Sequence, residues 1–399
     1  MSEREVLISG AGVAGPALAL ALHRHGFRVT VVERAPAPRD GGYKVDIRGA
    51  AVEVLKRLGL FEAVLAADTA MRTVTYVRPD GRPVATLDAG LLMGRRGDDR
   101  EIMRTDLTRI LYAATAGAVE YVFGDSIAGL EERADGVAVT FAGGGTRRFD
   151  LVVAADGLHS ATRRLAVGEV PLRHLGAYIS IFDLAGDLGL DREEIFHVAP
   201  GRMVFAYSTG AGQPAKVGLV FASPELPRGV DGRQVLRERF AGSGWQVPSF
   251  LEHLDAVPDL YFDSLSQVEL PRWSAGRVVL LGDAAYCPSP SSGQGTSLAL
   301  VGAYVLAGEL AKGDGHAAAF ARYEAVLRPY VARNQELGRK MAGDMVPGGR
   351  LKVALIHHAM RTLRFNPWKR QIIEQVTRPV HLAATAIELP AYPMAAAVR

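Results

Sequence analysis

Two glycine-rich turns stand far apart in this chain, and each opens onto an apolar stretch of helical length. The first is Gly10-Ala11-Gly12-Val13-Ala14-Gly15. The second begins at Gly282-Asp283, passes Pro288-Ser289-Pro290 and ends in Gly293-Gln294-Gly295-Thr296, about 270 residues later. Glycine lacks a Cβ and tolerates positive φ, so such turns let backbone amides approach another group closely. Residues 5–9 ahead of the first turn read as a buried strand, 14–25 as a packed helix stopped at Gly26, and 28–33 as a β-branched strand. A β-α-β unit at this point fixes the fold class as α/β with a Rossmann-like parallel sheet.

Gly10-x-Gly12-x-x-Gly15 between strand and helix suits a pyrophosphate, which the free N–H groups of a helix start can hold. Glu33 ends the next strand, 18 positions after Gly15, where a carboxylate can accept from ribose hydroxyls. The motif alone does not separate NAD from FAD, and a chance glycine turn in another α/β protein is the alternative. The second segment separates them better. Asp283 follows a strand at 277–281 and can bond the polyol chain that joins a pyrophosphate to a flavin ring. The amides of Gly293 to Thr296 and the dipole of the helix they open would face the pyrimidine end of that ring, where negative charge gathers on reduction. The bland reading is a surface loop before a core helix.

The 399 residues exceed the usual size of one domain, which predicts two connected lobes. With 48% apolar and 22% charged residues the chain can bury a large core, and a net charge of +3 argues for neither nucleic acid nor membrane as partner. Its single cysteine, Cys287, excludes an intrachain disulfide and a thiolate-rich zinc site, and no metal is expected. The first strand leaves no room for a signal segment, and the apolar runs at 17–22 and 298–306 are too short to span a bilayer. A cytoplasmic enzyme, monomeric or homodimeric, is expected.

The pattern divides the nucleotide-binding lobe into residues 1–72, 96–165 and 273–312. A hairpin at 73–95, turning at Pro79-Asp80-Gly81, belongs with a mostly antiparallel sheet lobe at 166–272, and C-terminal helices occupy 313–399. Strands are expected at 177–184, 203–208 and 216–221, with helices at 234–240, 249–254, 297–312, 317–341 and 351–364.

These motifs resemble those of the single-component flavoprotein aromatic hydroxylases, the para-hydroxybenzoate hydroxylase-like monooxygenases, over roughly residues 4–330. The run Asp156-Gly157-Leu158-His159-Ser160-x-x-Arg163 looks like the family's Asp-Gly motif, which lies near the pyrophosphate and handles the reduced nicotinamide. Arg104 in Arg-Thr-Asp-Leu resembles the arginine that reaches the flavin's phosphate and ribityl portion. Arg34 is the neighbour expected at the adenosine end. By the same resemblance Val13, Ala14, Ile127, Pro290 and Thr296 join the cofactor contacts. The branch most similar in detail contains the tetracycline-inactivating and polyketide-tailoring hydroxylases. Three positions depart from the family pattern: Tyr286 where histidine is usual, Ser297 where asparagine is common, and Gly302 where aspartate is often found.

The resemblance implies FAD as resident cofactor and NADPH or NADH as a transient reductant. Reduced flavin and O2 would give an electrophilic hydroperoxide that hydroxylates an electron-rich aromatic or polyketide-like molecule, with water kept away. Baeyer-Villiger insertion, antibiotic-inactivating oxygenation and a non-oxygenating flavin reduction stay open as alternatives. A substrate pocket is expected between the antiparallel sheet and the flavin, with His197, Arg202, Phe205, Tyr207 and Phe221 as lining candidates and Tyr178 and Met203 beside them. Aromatic residues in alternating strands are more often core, whereas a buried Arg202 or His197 needs a polar partner. Asp46 and Arg48, in a segment expected to cover the flavin edge, are expected either to contact the cofactor or NAD(P)H or to form a mutual ion pair. No residue is assigned as a catalytic base.

Overall fold

Residues 151–154 and 278–280 are wholly apolar, and 5–9 and 28–33 carry apolar residues such as Val6-Leu7-Ile8 and Val31-Val32 between polar ends, as expected of strands covered on both faces. In the computed structural model, which describes residues 4–38, 41–258 and 260–393, they form one sheet. Its strand order is Ser274–Ala275, Val278–Leu280, Leu151–Ala154, Glu5–Ser9, Arg28–Glu33, Glu120–Phe123. All pairings are parallel except the short edge pair at 274–280. Val6, Leu7, Ile8, Val153 and Leu280 are fully buried. The helices Ala14–Arg24 and Gly295–Ala311 pack on this sheet. The second is apolar on every side because it is enclosed on every side, which explains an apolar run too short for a membrane. Among the described residues no helix is long and apolar enough to cross one.

The second sheet has seven strands in the order Tyr261–Gln267, Arg173–Asp183, Lys216–Ala222, Arg202–Ser208, Glu193–Ala199, Thr73–Val77, Pro83–Asp88. The pairings are antiparallel except that between Thr73–Val77 and Glu193–Ala199, where the early hairpin joins strands from far along the chain. The α/β class with a mostly antiparallel second sheet and C-terminal helices is thus confirmed. Glu193–Ala199 escaped the sequence reading because two carboxylates open it.

Strand pairing fixes what each face of this sheet carries, since side chains alternate with period two. Glu194 sits opposite Tyr207, Phe196 opposite Phe205, and Val198 opposite Met203. This face meets the nucleotide-binding lobe, where the backbone N–H of Lys44 donates to the Tyr207 hydroxyl at 2.9 Å. Gly218 is required there: an added Cβ would lie 2.0 Å from the Phe205 ring. The other face carries Tyr178, Val204, Leu219 and Phe221, and packs against the helices Gly232–Phe240 and Val247–His253 through Leu236, Phe240 and Phe250.

The helix His316–Met345 runs from the first lobe to the second and contributes to both cores. Two further helices, Arg350–Leu363 and Lys369–Ala384, follow. Pro379 inside the last of them disguises it in the sequence.

Candidate functional site

The two glycine turns, so distant in sequence, meet at the ends of two parallel strands, Glu5–Ser9 and Val278–Leu280, that flank Leu151–Ala154 in the sheet. Gly10 follows Glu5–Ser9 with φ 104° and lies against the Ala155 carbonyl, where a Cβ would come within 2.6 Å of the oxygen. Gly15 abuts the Gly10 carbonyl, leaving 2.0 Å for a Cβ. Both positions demand glycine. Gly282, at φ 64°, places its missing Cβ 3.2 Å from the Ala14 methyl, so the second turn rests directly on the first helix start.

Charged groups surround this junction. Arg104 starts the helix Arg104–Thr115, and its Nη2 lies 3.5 Å from the position a Gly12 Cβ would take. Asp283 lies across from it, 3.7 Å through Oδ1 from the corresponding position at Gly295. Burial raises the pKa of the Asp283 carboxyl, and the Arg104 charge opposes that rise. Glu33 accepts from the backbone N–H of Ala11 at 2.8 Å and of Ala35 at 2.9 Å, so its carboxylate braces the first turn. Val13 and Ala14 open the first helix, while Arg34 is exposed just beyond the strand that ends at Glu33.

Pro290 begins a short 3-10 turn after Ser289, which is held at φ 75°, and Gly293 closes it in the left-handed region. No atom lies within 4 Å of an added Gly293 Cβ. Gln294 is fully buried, with neither amide atom of its side chain hydrogen-bonded. Gly295 and Thr296 then supply the first turn of the second helix. An arginine over an open glycine turn, a buried carboxylate and a helix start with an unspent amide form a donor set that fits a flavin dinucleotide.

Asp156 follows the Leu151–Ala154 strand and touches the Gly10 turn, and Gly157 beside it has φ 83°. The Asp156 carboxylate accepts from the Ser160 hydroxyl and from the Thr162 N–H at 3.0 Å, which fixes the start of the helix Ala161–Val167. Arg163 is buried and donates to the carbonyls of Ala284 at 3.0 Å and Leu158 at 2.8 Å, tying the Asp-Gly loop to the second turn. His159 reaches across to Asp263 of the second sheet at 2.9 Å, and that hydrogen bond raises its pKa. Ile127 lies deep in a satellite core with Leu7 and Val32.

The three departures from the family pattern have structural reasons. Tyr286 is buried, its pKa pushed up to about 12 by loss of water, and its ring packs 4.6 Å from that of Trp273. Its hydroxyl lies 2.1 Å from where a Gly302 Cβ would be. The large side chain at 286 therefore requires no side chain at 302, and two of the departures are one compensated change. Ser297 accepts from the backbone N–H of Arg48 at 3.3 Å.

The substrate candidates divide between the faces of the second sheet. Phe205, Tyr207 and Met203 lie on the face toward the nucleotide-binding lobe. His197, Arg202, Phe221 and Tyr178 do not: strand alternation turns them to the opposite face, away from the cleft. There His197 contacts the Val77 carbonyl at 3.4 Å, Arg202 donates to Ser243 at 3.0 Å, and Phe221 stacks on Tyr178 at 5.7 Å. The expected polar partners exist, but they belong to the back of the sheet.

The cleft side also holds a buried ionic network that sequence reasoning missed. Lys44 pairs with Glu194 at 2.7 Å and Glu101 at 3.2 Å; Arg95 pairs with Glu101 and, at 3.0 Å, with Asp46; Arg48 pairs with Asp46 at 3.1 Å. Asp46 and Arg48 thus form the ion pair that was one of their two readings. Burial works against the charge on Lys44, yet the two glutamates outweigh it and raise its pKa. Burial likewise raises the pKa of Glu194. The available signal was Glu194 itself, one register step from Phe196 on the same face.

Known proteins share this arrangement. A family model described as an FAD binding domain matches residues 3–175 and 264–337, the segments that carry both turns. A flavin-dependent monooxygenase from an unknown prokaryotic organism is 42% identical over 341 residues, covering 84% of this chain and 88% of its own. This chain belongs to the flavin-dependent monooxygenases. An uncharacterised protein of Mycobacterium tuberculosis (strain ATCC 25618 / H37Rv) is 43% identical over 357 residues, spanning 87% of this chain and 94% of that one. Among solved structures, the tetracycline destructase Tet(55) superposes with a TM-score of 0.85 at 37% identity, over 98% of this monooxygenase and 99% of the other chain. FAD is the cofactor, and the expected enzyme class and cofactor are confirmed.

Proposed function

We propose that this monooxygenase inserts one oxygen atom from O2 into an electron-rich polycyclic phenol or enol of the polyketide or tetracycline kind, with NADPH or NADH as reductant. The reading rests on one observation: the aromatic face of the second sheet, with Phe196, Phe205 and Tyr207, opens toward the lobe where the two glycine turns converge. The likeness to a tetracycline destructase over nearly the whole chain supports the substrate class.

When bound, FAD supplies the electron transfer and oxygen activation. Around it Arg104 would neutralise the diphosphate, while Asp283 would accept from the ribityl hydroxyls. The helix start at Gly295 and Thr296 would stabilise negative charge at the pyrimidine edge of the ring. Glu33 and Arg34 would hold the adenosine end, and Gly10, Gly12, Val13, Ala14 and Gly15 would let the backbone approach. Phe196, Phe205 and Met203 would exclude water from the reacting face. The Lys44–Glu194 pair, with the Lys44 amide on the Tyr207 hydroxyl, would hold that face at a fixed distance.

The test is a panel of phenolic and tetracycline-like compounds scored for stimulated NADPH oxidation and oxygen uptake, with product mass as the readout. A product heavier by one oxygen on an intact carbon skeleton supports hydroxylation. NADPH oxidation that no compound stimulates, or products without added oxygen, would refute the reading.

A further inference from the structure

The described exposed apolar residues are not spread evenly over the surface. Leu351, Leu355, Phe365, Trp368, Val376 and Leu382 are each more than half exposed, and all lie on the last two helices or the turn between them. Spacing by four residues puts Leu351 and Leu355 on one stripe of Arg350–Leu363, and Ile372 and Val376 on one stripe of Lys369–Ala384 with Trp368 at its cap; Phe365 lies in the turn between the helices. The buried residues Leu363 and Ile373 point the other way, into a small core with Leu87.

Charge is segregated in the same place. Residues 350–382 contain seven lysines and arginines against one carboxylate, Glu374. The whole chain nets only +3, so the rest of it is slightly acidic. Lys352 and Arg361 flank the first stripe, and Lys369 and Arg378 the second, where long cationic side chains can lie beside an apolar surface and keep their heads in water. Arg361, Phe365 and Trp368 border an open groove of about 390 Å³ at the turn.

We propose that this C-terminal helical face docks the enzyme on an anionic phospholipid surface, lying in the interface without spanning it. An apolar stripe edged by cations, with tryptophan and phenylalanine at its centre, has the chemistry of an interfacial amphipathic helix. A second copy of the chain fits less well. A two-fold interface sets the same patch against itself, and here it would bring two strongly positive surfaces together.

The experiment is co-sedimentation of the FAD-loaded full chain with vesicles of phosphatidylcholine containing phosphatidylglycerol, compared with phosphatidylcholine alone. Binding is expected to the anionic vesicles, to fall as salt rises, and to shift Trp368 emission to the blue. Each cation near such a surface strengthens partitioning by about fivefold. The double variant Arg361→Gln/Arg364→Gln should therefore bind about 25-fold more weakly, and Trp368→Ser/Val376→Ser should also release the protein. Neither variant should change FAD content or substrate-stimulated NADPH oxidation. A wild-type chain that ignores anionic vesicles overturns the proposal. So does a concentration-dependent dimer that Leu355→Asp dissolves, since that assigns the face to a second copy.

Discussion

The contact between Tyr286 and Gly302 allows a quantitative test of why this chain departs from its family at both positions. In Gly302→Ala the new methyl would lie 2.1 Å from the Tyr286 hydroxyl oxygen, against the 3.4 Å at which ordinary contact begins. The ring cannot swing aside, because it is buried beside Trp273 and hydrogen-bonded to Tyr323 at 3.0 Å. Overpacking of this kind costs about 1–3 kcal/mol. Alanine in a helix interior returns about 1 kcal/mol relative to glycine, so the net loss is about 0–2 kcal/mol. Tyr286→Phe alone loses one hydrogen bond, about 1 kcal/mol. Tyr323 still donates to the Leu280 carbonyl at 3.0 Å and is not left unpaired. In the double variant the clash disappears: the former Cζ stands 3.4 Å from the new methyl, and the next obstacle is the flexible end of Leu281 at 3.0 Å. The helix gain then offsets the lost hydrogen bond, and the double variant should match wild type within about 1 kcal/mol. The coupling is about 2 kcal/mol, measurable from urea unfolding at a fixed FAD concentration. Additivity of the two single changes to within about 0.5 kcal/mol would refute the reasoning.

Other substitutions probe the rest of the site. Gly10→Ala forces a Cβ against a backbone carbonyl at a positive φ, so the purified protein should lose its yellow colour and its FAD on gel filtration. Lys44→Met leaves Glu194 and Glu101 buried without their shared cation and should cost about 3–5 kcal/mol, with Glu194→Gln in the same chain restoring part of it, as read by denaturation. The His159–Asp263 bond raises the histidine's pKa, so its contribution is full below the unfolded value near 6.5 and fades as pH rises through the higher folded value. An NMR titration should show a His159 midpoint above 6.5 that Asp263→Asn lowers; an unchanged midpoint would remove the cross-lobe latch.

The Rossmann half of this molecule was legible because its signals are local. Glycine at 15 is imposed by the Gly10 carbonyl five residues earlier, glycine at 10 is favoured by its own positive φ, and buried parallel strands such as Leu151–Ala154 announce themselves by unbroken apolar runs. The second sheet was legible as strands but not as faces. Whether Phe221 or Phe205 looks into the cleft depends on register with strands far along the chain, and alternation alone leaves two choices. Net charge misled in a different way: +3 over the whole chain hides a basic C-terminal surface because the remainder is acidic. Tyr286 and Gly302 were visible as departures, yet only their contact shows that one accounts for the other.

The parallel sheet is assembled from pieces translated far apart in time. Its central strand, Glu5–Ser9, leaves the ribosome early, but Val278–Leu280 and the second glycine turn follow only after most of the chain. At usual synthesis rates that gap lasts roughly 15–60 s. Until then the nascent polypeptide holds only half of the nucleotide cleft, and Leu151–Ala154, once made, still lacks the neighbouring strand that completes its sheet, so both ends of the cofactor cannot yet be held. Vitamin supply should therefore govern the survival of the finished enzyme and leave its elongation untouched.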